Sequence, residues 1–171
     1  MRRIVSIDAN GVVCVTSRLE KADESKPVNA PDGMRFTNWG VTQVPVTPYV
    51  DVRLIGQERV LNGADGSPAF PEPEKISENI LRFSTAGITN QNESAKACFD
   101  ADMMSIPVHG GTLVIWQEPA SESESSEPER GQLYVSGKAG LRPGVEPYME
   151  IEWCQPWPNS EQRVWFRFDK D

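Results

Sequence analysis

Hydrophobic and polar residues alternate with a period of two along much of this chain, the pattern of β-strands that bury one face. Residues 50–54 and 148–153 alternate in this way, and residues 163–168 do so most clearly. In that last segment, the two faces carry Val164, Phe166 and Phe168 on one side and Arg163, Trp165 and Arg167 on the other. Short half-buried strands with turns rich in glycine and proline predict a mainly β protein.

The first local signal is a hairpin between Ile4 and Cys14. Two runs rich in valine and isoleucine flank Asn10 and Gly11. An Asn-Gly pair readily takes the positive φ angles of a type I′ turn, which matches the twist of paired strands. The sequence therefore predicts two antiparallel strands joined at Asn10-Gly11.

One segment, residues 90–104, predicts a short helix. Asn90 and Glu93 resemble a capping box, the usual start of a helix. The apolar residues that follow fall near one helical face, namely Ala95, Cys98, Phe99 and Met103. We expect this helix to cover one opening of the β core.

Together these elements predict a β-sandwich or barrel with jelly-roll or Greek-key-like strand order and one short helix. A chain of 171 residues fits one domain over 1–171. We expect long loops at about 17–33 and 62–75, where prolines and turn pairs are frequent. The acidic run at about 118–130 predicts a mobile hairpin tip, because its glutamates repel each other and it has little apolar area to bury.

Charge and composition narrow the list of partners. The chain has 25 acidic and 17 basic residues, a formal net charge of -8. That sign opposes a phosphate backbone, so neither nucleic acid nor an anionic membrane is an expected partner. No apolar stretch approaches the roughly 18 residues of a membrane span, and no signal-peptide core follows the start. We expect a protein made in the cytoplasm, without a secretion signal.

The residues that could carry chemistry are few. His109 is the sole histidine, and no nucleophile elbow accompanies it, so we interpret it as an ordinary loop residue. Glu150 and Glu152 share one strand face, a spacing that could serve glycoside hydrolysis, although a solvated outer face is the preferred interpretation. Asp100 and Asp102 lack the rest of a calcium loop. We therefore predict no catalytic residue, metal site or cofactor.

Aromatic residues near the end of the sequence form the predicted binding surface. Trp153 is expected in the core, whereas Trp157, between two prolines, either binds a partner or plugs the core. Trp165 shares a strand face with Arg163 and Arg167, where it could form an interface or a cation–π contact. The predicted binding residues are thus Trp157, Trp165, Arg163 and Arg167.

Three functions follow from these features. The favoured hypothesis is a non-enzymatic structural or assembly protein that docks onto a larger complex through a protein partner or by self-association. A capsid-decorating or tail-associated subunit of a phage or virus is its concrete form, with segments 17–33 and 62–75 as arms. The alternatives are a carbohydrate-binding module that stacks sugars on Trp157 and Trp165, and an acidic inhibitor or immunity protein acting through residues 118–129.

Overall fold

Two antiparallel β-sheets make up the part of the chain that the computed structural model describes. That part comprises residues 2–18, 37–55, 60–90, 93–117, 131–138, 141, 143–156 and 161–171. The acidic run at 118–130, most of the predicted loop at 17–33 and Trp157 lie outside the described residues.

Chain order and spatial order differ in these sheets. The eight-stranded sheet has the order β1 (Arg2–Ile7), β2 (Val13–Arg18), β13 (Glu161–Lys170), β10 (Gly111–Gln117), β9 (Ala101–Val108), β4 (Tyr49–Leu54), β7 (Ile80–Ser84) and β6 (Glu74–Lys75). The five-stranded sheet has the order β3 (Thr37–Pro45), β12 (Tyr148–Pro156), β11 (Gly131–Val135), β8 (Ala95–Phe99) and β5 (Val60–Asn62).

The core lies between the inner faces of the two sheets. The eight-stranded sheet contributes fully buried side chains from its central strands, Val50, Val52, Phe83, Met104, Ile106 and Ile115. The five-stranded sheet contributes Ala97, Phe99, Leu133, Met149, Ile151 and Trp153. This arrangement confirms the predicted β-sandwich, and the described strands form no closed barrel.

In the alternating segments near the end of the sequence, the predicted side chains face the core. Met149, Ile151 and Trp153 are buried in the core. On β13, Val164 is buried, whereas Phe168 on the same inward face is 51% exposed. The alternation thus gives the correct face, while the depth of burial falls along β13 from Val164 to Phe168.

The predicted hairpin is confirmed, with a different turn. β1 pairs with β2 from Arg2↔Arg18 to Ile7↔Val13. The Gly11 N–H donates to the Asp8 carbonyl, so Ala9 and Asn10 are the central residues of the turn. Gly11 follows with φ of +79°, the position that a three-residue hairpin loop gives to glycine.

The predicted helix at 90–104 is wrong. Residues 95–99 and 101–108 are strands β8 and β9, which belong to different sheets and are separated only by Asp100. Ala95, Ala97 and Phe99 face the core, yet the intervening Cys98 is also buried. Burial on both faces of β8 hides its period of two, and alanine and cysteine do not by themselves indicate a strand.

Helical structure in the described residues is limited to short 3₁₀ turns such as Ala64–Gly66 and Ile88–Asn90. None of the helices among those residues is long and apolar enough to cross a membrane.

The segment 62–75 packs against the chain's own core and is not a free arm. Phe70 is only 3% exposed, and its ring lies edge-on to Phe83 with centroids 5.7 Å apart. The Asn62 side-chain amide donates to the Phe70 carbonyl, and the Phe70 N–H donates back to Asn62 Oδ1. Asn62 therefore satisfies the backbone of Phe70 where its ring enters the core.

A buried amide network joins the two sheets. Gln162 on β13 donates from Nε2 to Gln117 Oε1 on β10 at 2.8 Å and to the Trp153 carbonyl of β12 at 2.7 Å. Gln117 in turn donates to the Cys154 carbonyl. A Cβ atom at Gly40 would lie 2.9 Å from Gln162 Oε1, so this network also requires glycine on β3.

We predict that Gln162→Met lowers the free energy of unfolding by about 2–4 kcal/mol, because it removes two buried hydrogen bonds and leaves the Trp153 carbonyl without this donor. Urea unfolding followed by tryptophan fluorescence measures the change. The control is Gln43→Met, which removes an exposed hydrogen bond to Glu150 and should change stability by less than about 0.5 kcal/mol. Equal effects of the two substitutions would show that the network does not stabilise the sandwich.

Candidate functional site

The outer face of the eight-stranded sheet brings together three of the four predicted binding residues. Arg163, Trp165 and Arg167 alternate along β13 with side chains that face the core. Across the ladder, Trp165 lies opposite Trp116 of β10. We call these four residues, Trp116, Arg163, Trp165 and Arg167, the tryptophan–arginine face.

The two tryptophan rings form the centre of this face. Trp116 and Trp165 lie with their centroids 6.1 Å apart and their planes 9° from parallel. The Arg167 guanidinium lies 5.9 Å from the Trp116 centroid. The expected arginine contact with an aromatic ring is therefore present, but on Trp116, which sequence analysis had not selected.

Arg167 is held in place by a carboxylate on its own strand. Its Nε and Nη2 atoms donate to the two carboxylate oxygens of Asp169 at 2.6 and 2.8 Å. These charge-assisted hydrogen bonds lower the pKa of Asp169 and raise that of Arg167. The fork geometry restricts the guanidinium to one orientation beside the indole.

A shallow groove of about 390 Å³ adjoins this face. Arg163 and Trp165 form one wall, and the β1–β2 hairpin supplies the rest through Ser6, Asp8, Val12, Cys14 and Thr16. The groove widens the accessible surface around Trp165, which is itself half-buried. The fourth predicted residue, Trp157, lies outside the described residues.

Further along the same outer face, two ion pairs fix two more arginines. Arg82 binds both oxygens of Asp51 at 2.7 and 2.8 Å and lies 3.8 Å from the centroid of the Tyr49 ring. Arg53 binds both oxygens of Asp102 at 2.8 and 2.9 Å. Asp102 thus acts as the partner of an arginine. Within the described ranges, no group of three or more His, Cys, Asp or Glu side chains could hold a metal ion.

The structure does not bring His109 to the paired acids. His109 is exposed in the turn between β9 and β10, followed by Gly110 with φ of +81°. That turn belongs to the eight-stranded sheet, whereas Glu150 and Glu152 lie on the outer face of the five-stranded sheet. A catalytic pairing of His109 with Glu150 does not occur in this fold.

Glu150 and Glu152 instead line a pocket of about 400 Å³, here called the carboxylate pocket. Its volume falls in the range of small-molecule sites. Its other lining residues come from four separate segments and are Trp39, Val41, Ser67, Lys96 and Tyr134.

Glu152 contradicts the expectation of a solvated acid pair, because it is only 3% exposed. The Lys96 ammonium, which is also largely buried, lies 4.0 Å from Glu152 Oε2. The same ammonium lies 5.6 Å from the centroid of the Trp39 ring. A long lysine side chain and an indole therefore occupy the outer face of the sheet, and the carboxylate is buried beside its counter-charge.

Two polar contacts set the orientation of the pocket walls. Glu150 Oε1 accepts a hydrogen bond from Gln43 Nε2 at 2.9 Å. The Tyr134 hydroxyl lies 2.8 Å from Ser94 Oγ, which also accepts the Gly137 N–H. Lys96, Glu150 and Glu152 together have a formal charge of one negative unit. The pocket therefore offers hydrogen-bond donors and acceptors beside the indole of Trp39, which is 52% exposed.

Sequence analysis missed Trp39, Lys96 and Tyr134 as members of a site. They belong to β3, β8 and β11, which are far apart in the sequence. The register that joins them is Tyr134↔Lys96 and Tyr134↔Glu150, with Trp39 opposite Cys154. The alternation within each strand gives a face, but only the pairing of strands brings these faces into one pocket.

Comparison with protein-family models, curated proteins and solved structures gives no match for this chain. The tryptophan–arginine face and the carboxylate pocket are therefore the features that indicate a function.

We predict a pH-dependent loss of stability through Tyr148, next to the carboxylate pocket. Burial, the neighbouring Tyr134 and the charge of Glu150 raise the pKa of Tyr148. Since the folded state holds this proton more tightly than the unfolded state, the contribution is complete below the unfolded pKa of about 10 and is lost as pH rises through the folded pKa.

The measurement is the urea midpoint of the wild type and of Tyr148→Phe between pH 8 and pH 11. The phenylalanine variant should show a shallower decline with pH, because it has no hydroxyl to ionise at this position. Parallel curves for the two proteins would contradict the assigned cause.

Proposed function

We propose that this chain is a non-enzymatic assembly protein that docks onto a protein of a larger complex through its tryptophan–arginine face. A capsid-decorating or tail-associated subunit of a phage or virus is the concrete form of this proposal. The observation that carries it is the stacked Trp116–Trp165 pair, flanked by Arg163 and Arg167 on an outer sheet face.

The chemistry of this face favours a protein partner. Tryptophan and arginine are enriched among the residues that dominate binding energy at protein interfaces. The indoles constrain each other by stacking, and Asp169 restricts Arg167, so less side-chain freedom is lost when a partner binds. Arg163 is exposed and its Nη2 lies 2.5 Å from Glu161 Oε1, so an acidic or carbonyl group of the partner would compete with that carboxylate for the guanidinium.

We predict that Trp165→Ala and Arg163→Glu each weaken the affinity for the partner at least about tenfold, the usual effect of removing a dominant interface residue. The partner is first recovered from an extract of the native source, then purified and titrated against each variant. Circular dichroism of the variants checks that the sandwich remains folded.

The matched control is Trp39→Ala, which removes an exposed indole from the other sheet and should leave the partner's affinity unchanged. If Trp165→Ala and Arg163→Glu bind the purified partner as tightly as the wild type, docking through this face is wrong. If no protein binds the wild type in the extract, the assembly function itself loses its support.

A carbohydrate-binding module is the second candidate, and the carboxylate pocket favours it. Trp39 presents a half-exposed indole beside two carboxylates, a lysine and a tyrosine hydroxyl. A sugar ring can stack on such an indole while its hydroxyls exchange hydrogen bonds with Glu150 and Tyr134. This site differs from the one expected on Trp157 and Trp165.

We predict that, if the protein binds glycans, Trp39→Ala abolishes detectable binding on a glycan array, because the stacking platform is lost. Trp165→Ala serves as the control and should bind the same glycans as the wild type. Absence of binding by the wild type to every glycan tested would eliminate this candidate, and sensitivity to Trp165→Ala alone would move the site to the other sheet.

The third hypothesis, an inhibitor or immunity protein, depends on the acidic run at 118–129. That run lies outside the described residues, and no observation on the two sheets favours this function.

A further inference from the structure

Strand β1 forms an edge of the eight-stranded sheet, and all six of its residues are exposed. Ile4 is 48% exposed, Val5 is 64% exposed and Ile7 is 70% exposed. β1 pairs with β2 along one edge, and no described strand pairs with its other edge. Natural proteins usually protect such edges with charge, proline or a bulge, but residues 4–7 contain none of these.

The other described edges differ from β1. β6, at the opposite end of the same sheet, has only Glu74 and Lys75, which are both charged. β5 has three residues. β3 is long, but it ends in Pro45, and Val44 packs against the core. Of these strands, β1 combines a free backbone edge with apolar side chains exposed on its two faces.

The alternation of hydrogen-bonded and non-bonded pairs in the hairpin identifies which backbone groups of β1 point away from β2. The Asp8 N–H donates to the Val12 carbonyl at 3.0 Å. Bonded and non-bonded pairs alternate along an antiparallel ladder, so Ile4 and Ser6 also direct their backbone groups toward β2. Arg3, Val5 and Ile7 therefore direct their N–H and C=O groups toward the open edge.

We propose that this open edge pairs with β1 of a second copy of the chain, antiparallel, with Val5 opposite Val5 on a twofold axis. Arg3 of one copy then lies opposite Ile7 of the other. These are the residues whose backbone groups point outward, and each such pair exchanges two hydrogen bonds. The register thus uses every outward-facing backbone group from Arg3 to Ile7.

The charges of the strand favour a second copy as the occupant. Basic residues begin the segment at Arg2 and Arg3, Asp8 ends it, and the middle has no charge. Reversing the strand about Val5 places Arg2 of one copy opposite Asp8 of the other. Opposite charges face each other at the two ends of the interface, and the surface is self-complementary, as a twofold contact requires.

The side chains also match across the axis. Val5 aligns with Val15 of β2 and Val164 of β13 on the face that carries the core. In the dimer this row of valines continues from one copy to the next. Because a six-residue edge buries less than the roughly 1,000 Å² of a stable interface, we expect a dimer that forms reversibly with concentration.

This inference extends the proposed function but can fail independently of it. Self-pairing is measured on the isolated protein, whereas docking through the tryptophan–arginine face is measured with a different protein. A monomer that still binds its partner would refute only the dimer. A dimer that binds no partner would refute only the docking function.

Disulfide trapping tests the register. In the proposed pair the two Val5 Cα atoms lie about 5.5 Å apart, within the range of a disulfide. Val5→Cys should therefore form a covalent dimer on mild oxidation. Ile7→Cys is the matched control, because Ile7 is at least as exposed but lies about 14 Å from its own copy in this register. Wild type, with its three free cysteines, sets the background.

Sedimentation of the unmodified protein tests the association itself. The wild-type mass should rise from monomer toward dimer with concentration, and Val5→Lys, which places like charges on the axis, should weaken association at least tenfold. Leu61→Lys, at an exposed apolar position of β5, should associate as the wild type does. A wild type that stays monomeric at every concentration overturns the proposal. Equal trapping of Val5→Cys and Ile7→Cys overturns it as well.

Discussion

The sandwich depends on a buried hydrogen-bond network that fixes how its two sheets face each other. Hydrophobic packing brings sheets together without specifying their alignment, because it has little directionality. Gln162 specifies the alignment by donating to Gln117 within its own sheet and to the Trp153 carbonyl of the other. An unsatisfied amide in this interior costs free energy, so sliding one sheet over the other is opposed.

This alignment decides what each outer face presents. Because the Gln162 side chain points inward, Arg163 and Trp165 lie on the outer face of β13. Trp165 is then opposite Trp116 across the ladder. With Trp153 turned inward, Glu152 must lie on the outside of β12, where Lys96 and Trp39 bury it. The two candidate binding surfaces are thus the reverse sides of strands held by one network.

The unequal width of the sheets has a separate consequence. The eight-stranded sheet has three more strands than the five-stranded sheet, and among the described strands β1 pairs with β2 alone. Apolar residues such as Val5 and Ile7 follow the alternation of a core strand, but no described strand of the other sheet covers them. Pairing with a second copy would satisfy the edge and continue the apolar row, which is why the oligomeric state bears directly on the proposed assembly role.

The sequence by itself determined the β class, the hairpin at its start and the faces of β12 and β13, because alternation with a period of two is a local property. It failed at 90–104, where β8 is buried on two sides and loses that alternation, and at Glu152, where an outward-facing acid is covered by Lys96 and Trp39. Strand order, the inward position of Phe70, the Trp116–Trp165 stack and the carboxylate pocket were decided only by the tertiary structure. Each of them requires residues far apart in the chain to meet, and a single sequence carries no local signal for the partner of a strand.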